Sequence, residues 1–209
     1  MMCLDKVLQK EKGLVDMASI NGISVKGMKI FHGHEGEPLY QGNLYLNNKK
    51  IGFWSQDSWG GPDNVSLDEG YSERLLEDAI RKLNSDKDHH GKSSYDGREF
   101  VLEYKLERLM GDLCALFEDE KAFKSAVKKG YDGVVIASDG FHQVCWCIRG
   151  SLFEKDDVSL LEALSEEIAN AKSQFMKEDD VIKHTVKVYR SLDDFVIGEP
   201  IKTADIMIK

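Results

Sequence analysis

Apolar positions along this chain recur with two different periods, and the changes of period divide it into strand and helix blocks. Ile23–His34 alternates loosely and predicts a strand, with Ile30, His32 and His34 on one face and Phe31 on the other. Gly42–Leu46 and Lys50–Ser55 flank Asn47, Asn48 and Lys49, and asparagine tolerates the positive φ of a hairpin turn. Two registers compete. A turn at Asn48–Lys49 sets Leu46 opposite Ile51 and Leu44 opposite Phe53, whereas a turn at Asn47–Asn48 sets Leu46 opposite Lys49. The first pairs apolar side chains on one face and is the expected one. Tyr45 and Trp54 then share the other face. A second hairpin is predicted from Gly133–Ser138, a turn at Asp139-Gly140, and Phe141–Ile148. Its returning strand is apolar on both faces, so the hairpin is expected within a covered sheet, with Cys145 and Cys147 as buried thiols. Val181–Tyr189 alternates as a further strand.

Spacings of three and four mark the helices. Leu102, Leu106, Leu109, Leu113 and Leu116 predict a helix over Glu99–Phe117. A second, Glu118–Lys129, is expected to be capped by Asp119 and ended by Gly130. Val158, Leu161, Leu164, Ile168, Ala171 and Phe175 predict a third over Asp157–Phe175. Shorter patterns place helices at Ser72–Leu83 and within Met1–Met17, and Asn84–Gly97 reads as an exposed loop. The fold expected is α+β: an antiparallel or mixed sheet built from two β-hairpins plus an N-terminal strand, with three to four helices packed on it. Residues 1–27 read as an N-terminal extension. Residues 28–209 read as a single domain, with a hairpin module over 28–63 and a helical and second-hairpin part over 64–209.

Composition narrows the function classes. The 209 residues carry a formal net charge of −9, which disfavours nonspecific binding to nucleic acid or to an anionic membrane and fits a basic partner. The acidic residues cluster: Glu99–Glu120 has seven against two basic residues, and Ser151–Asp180 has nine against three. With both helical seams buried, the opposite faces would form an acidic wall that includes Glu103, Glu107, Glu162, Glu166 and Glu167. Such a wall is a solvated surface or an imitation of nucleic-acid phosphates. Dimerisation through one seam is the alternative use of those helices. The four cysteines fit neither a CxxC nor a disulfide framework, which points to reduced thiols and a cytoplasmic setting. No run reaches about 18 consecutive apolar residues, so no membrane span is expected.

Chemistry concentrates in residues 29–63. His32-x-His34 on a strand can hold a metal or divide acid and base roles, but no third ligand is fixed by spacing, and no metal or cofactor is assigned. The loop Gln56–Asp63 carries Asp57, Trp59, Gly60, Gly61 and Pro62, and Trp59 either plugs the hairpin or serves as an interface anchor, with Asp63 beside it. The run Gly33-His34-Glu35-Gly36, Gly42–Gly52 and Asp57-Ser58-Trp59-Gly60-Gly61 resembles an N-terminal module of small proteins of phages and mobile elements. The likeness covers residues 28–63. Some small acidic proteins of that setting are anti-CRISPR inhibitors of Cas9. The resemblance implies a protein that binds a defence effector such as Cas9, or its guide ribonucleoprotein, and blocks guide RNA or DNA binding. The alternative is a ribonuclease that trims guide RNA. Such hydrolysis needs one group to take the 2′-hydroxyl proton and another to protonate the leaving oxygen. His32 and His34 supply those groups in this reading, with Glu35, Glu37 and Asp57 orienting them or holding a metal instead.

Overall fold

A computed structural model describes residues 18–74, 76, 77, 80, 91–95, 98–102, 105–138, 143–175 and 185–199. The strands are β1 (Ser19–Ile20), β2 (Ile23–His32), β3 (Pro38–Leu46), β4 (Lys49–Ser55), β5 (Asn64–Leu67), β6 (Gly91–Tyr95), β7 (Arg98–Leu102), β8 (Gly133–Ser138), β9 (Gln143–Ile148), β10 (Thr185–Tyr189) and β11 (Val196–Ile197). The helices are α1 (Leu106–Lys128), α2 (Asp157–Ala163) and α3 (Ser165–Phe175). The fold is α+β. A six-stranded sheet has the order β11-β1-β2-β3-β4-β5, a three-stranded sheet the order β10-β8-β9, and β6 pairs with β7 alone. The large sheet is mixed, because β11 joins β1 in parallel while the other pairings are antiparallel.

Helix α1 lies between the two larger sheets. Its buried Leu109, Met110, Leu113 and Leu116 share one core with Ile23, Val25, Leu44, Leu46, Ile51 and Trp54 of the large sheet and with Val134, Ile136 and Tyr189 of the small one. The opposite face of the small sheet, with Val135, Ile148, Val186 and Val188, packs on Leu160, Leu164 and Ile168 of α2 and α3. The layers are therefore large sheet, α1, small sheet, α2 with α3. The chain crosses back after β10: Phe195, fully buried, stacks on Tyr189 at 4.5 Å, and β11 then joins the large sheet.

Several sequence expectations are corrected. The predicted break at residue 118 is absent, since α1 runs unbroken for 23 residues. Asp119 is no cap. It is 5% exposed and accepts hydrogen bonds from Gln143 Nε2 and Tyr189 Oη, both at 2.5 Å. Gly130 does end the helix as expected: at φ +82° it sends its N–H to Val127, and Tyr131 N–H reaches Ala126. Residues 99–102, expected to begin a helix, belong to β7, and part of the expected loop at Asn84–Gly97 forms β6. Leu164 interrupts the third predicted helix, although Leu164 N–H still donates to Leu160 O and Ile168 N–H to Leu164 O. The two hairpins belong to different sheets, and β9 is an edge strand on which Cys145 and Cys147 are exposed rather than buried. Among the described residues Cys114 is the buried thiol, pushed up to about 12 chiefly by burial. The 27/28 boundary falls inside β2, and Ala18, Ile20, Ile23 and Val25 belong to the core. Leu109, Leu113 and Leu116 of the first leucine-rich seam and Leu164 and Ile168 of the second are buried within the chain, whereas Val158 is exposed. The helix expected in Met1–Met17 and the Asp139-Gly140 turn lie outside the described residues. Among the described residues, no helix is long and apolar enough to cross a membrane.

The first hairpin takes the register that apolar pairing disfavoured. Asn47 (φ +47°) and Asn48 (φ +67°) form the turn, and Leu46 faces Lys49. A bulge at Ile51 then shifts the pairing so that Leu44 meets Gly52 and Gly42 meets Trp54. The bulge turns Trp54 into the core and Phe53 out to solvent.

Leu113 lies at the centre of the shared core and is 1% exposed. Leu113→Ala is expected to lower unfolding stability by about 2–5 kcal/mol. Val158→Ala, at a position 68% exposed, should change it by about 0.5 kcal/mol or less. Urea unfolding followed by circular dichroism measures both.

Candidate functional site at the Trp59 tip

Residues singled out from the sequence meet at one end of the large sheet. The β2–β3 connection closes through Gly33 N–H to Glu37 O at 2.9 Å and Gly36 N–H to Gly33 O at 3.1 Å, with Gly36 at φ +84°. It is tied to the β4–β5 loop by His34 N–H to Ser58 O at 3.0 Å. Above that bond the His34 ring stacks on the Trp59 indole, with centroids 4.0 Å apart and planes 26° apart.

The loop under Trp59 is held from within. Asp57 Oδ1 accepts from Trp59 N–H at 2.8 Å and from Gly61 N–H at 3.1 Å. Those two backbone donors, Trp59 first, hold the Asp57 carboxyl below the usual carboxylate range. Trp59 itself remains 74% exposed. It does not plug the hairpin. Trp54 does so, fully buried, and donates its indole N–H to Asp63 Oδ2 at 2.9 Å. Asp63 is thus the partner of a core tryptophan. Burial raises its carboxyl above the usual range, the Trp54 bond opposes that, and nearby Glu107 adds to it.

His32 and His34 have separate partners. His32 is exposed, and its Nδ1 lies 3.3 Å from Gly36 O. Glu35 is exposed, and its N–H donates to Glu37 Oε2 at 2.9 Å. Among the described residues, no three histidine, cysteine, aspartate or glutamate side chains come together as a metal site.

The acidic wall divides. Glu107 is exposed at the start of α1, but Asp119 and Glu120 are inside the protein. Glu162, Glu166 and Glu167 are exposed on α2 and α3, with Glu162 and Glu166 one turn apart. Glu103 lies outside the described residues. A groove of about 270 Å³ along α1 is lined by Phe117, Glu120, Lys121, Lys124, Ser125 and Lys128 and shares no residue with the tip. Comparison with protein-family models, curated proteins and solved structures returns no match.

The Asp57 geometry sets a titration. A carboxylate held below its unfolded value of about 3.9 stabilises the loop above that pH and loses this contribution as pH falls through its folded value. The amide proton shifts of Trp59 and Gly61 should therefore move together, with one midpoint below about 3.9. Proton NMR checks this. Asp57→Asn should remove the titration, and unequal midpoints would contradict the shared acceptor.

Proposed function

We propose that the chain is a non-enzymatic binding protein that inhibits a nucleic-acid-based defence effector such as Cas9. Trp59 is its anchor, and the acidic face of α2 and α3 complements a basic partner. The observation that carries this reading is an indole 74% exposed yet stacked on the His34 ring, on a loop whose backbone is braced by the Asp57 acceptor. An exposed aromatic ring that is already ordered loses little freedom on docking, and tryptophan is enriched among residues that dominate interface energy. Glu162, Glu166 and Glu167 supply the charge that speeds encounter with a basic surface. The resemblance of residues 28–63 to a phage-type module points to the class of partner, and occupying its basic channel would block guide RNA or DNA binding.

The ribonuclease alternative needs both imidazoles beside one ribose. His32 is drawn to Gly36 O, His34 is stacked on Trp59, and Asp57 is engaged by its own loop. These partners favour binding over hydrolysis.

The test is titration of the full chain against immobilised Cas9, with and without guide RNA. Binding should weaken as salt rises. Trp59→Ala should weaken it about tenfold or more. Reversal of Glu162, Glu166 and Glu167 to lysine should slow association. Absence of binding to either form, or a Trp59→Ala variant that binds like the parent, would overturn the reading.

A further inference from the structure

The large sheet has a second face, turned away from α1. Directly paired residues on neighbouring strands share a face. Lys26, Asn43 and Phe53 are such neighbours, as are Tyr45 and Lys50, and Lys29 and Gln41. Phe31 lies on the same side, paired with Leu39. By strict alternation Lys26 and Lys29 would point in opposite directions, as would Lys50 and Phe53. The bulge at Gly27 (φ +65°) and the bulge at Ile51 bring all four to this face, on which Lys26, Phe31 and Tyr45 are half-buried and Ser24, paired with Tyr45, is buried. Three lysines and three aromatic rings thus stand together, and no described residue that β2, β3, β4 or β5 turns to this face is acidic. Lys26 Nζ sits 4.7 Å from the Tyr45 ring centre and donates to Asn48 Oδ1 at 3.1 Å. Phe53 is 40% exposed, and Lys29 and Lys50 are exposed.

We infer that this face binds single-stranded nucleic acid. Bases stack on exposed aromatic side chains while lysines between them meet the phosphates, and amides such as Gln41 and Asn43 reach base edges. Protein interfaces are depleted in lysine, so a face of lysines and aromatic rings favours a nucleic-acid occupant. The net charge of −9 does not prevent this. The exposed glutamates of α2 and α3 lie on the far side of α1 and the small sheet, and at physiological salt charges separated by more than about 8 Å are largely screened. The face uses none of Trp59, His34 and Asp57, so its failure would leave the protein-binding reading standing.

The experiment is fluorescence anisotropy of the full chain with labelled RNA and DNA single strands of about a dozen nucleotides, a length within the range of single-strand sites. The matching DNA duplex serves as comparison. Single strands should bind at least about tenfold more tightly than the duplex, with a log–log salt slope near −2 from three lysine contacts. Phe53→Ala should weaken binding about fivefold or more and leave the slope unchanged. Lys29→Ala should weaken it and bring the slope closer to zero by about 0.7. Both side chains are exposed, and circular dichroism confirms that the variants are folded. No binding at low salt, equal binding of duplex, or unaffected variants would overturn the inference. So would a result in which the two variants lose a protein partner while no nucleic acid binds.

Discussion

Two adjacent buried carboxylates on one helix hold the architecture together. Neighbouring helical residues point about 100° apart, so Asp119 and Glu120 reach different layers. Asp119 takes hydrogen bonds from Gln143 of β9 and Tyr189 of β10 and thereby spans the small sheet. Glu120, 1% exposed, accepts from Ala18 N–H at 3.0 Å at the start of the large sheet and pairs with Lys124 at 2.9 Å. Burial raises the Asp119 carboxyl above its usual range, and Tyr189, Lys187 and Gln143 oppose that shift. A helix packed only by leucine would tolerate rotation between two sheets. Directional bonds to both sides fix its rotation, and with it the relative placement of the large sheet, the Trp59 tip and the acidic helices.

The leucine spacing of α1, the Gly130 stop, the second hairpin and the α2–α3 seam were legible in the sequence because each follows from a local period or a local turn residue. The continuity of α1 was not. Glu118-Asp119-Glu120 reads as a polar boundary until Tyr189, seventy positions away, supplies the partner that makes burial of Asp119 tolerable. The roles of Trp54 and Phe53 were inverted for a similar reason. A bulge at Ile51 reverses the facing of every residue after it, and period-two reading carries no signal for that extra residue. The same device concealed the lysine and aromatic face, since Lys26 and Lys29 differ by an odd number. At the tip, sequence proximity correctly gathered His34, Asp57 and Trp59 but assigned roles too freely. Asp63 is a core partner and Asp57 a loop brace.

The resulting molecule has opposed surfaces. One side presents lysines and aromatic rings on the large sheet, the other exposed glutamates on α2 and α3, and the Trp59 loop projects from one end of the large sheet. Helix α1 and the small sheet lie between the two surfaces.

The most direct test of this account is a double-mutant cycle between Asp119 and Tyr189 in urea unfolding. Asp119→Ala, Tyr189→Phe and the double variant are compared with the parent chain. A buried hydrogen bond to a charged acceptor predicts a coupling of about 1.5–3 kcal/mol. Additivity within about 0.3 kcal/mol would mean that the two side chains act independently, and it would contradict the claim that Asp119 fastens α1 to the small sheet.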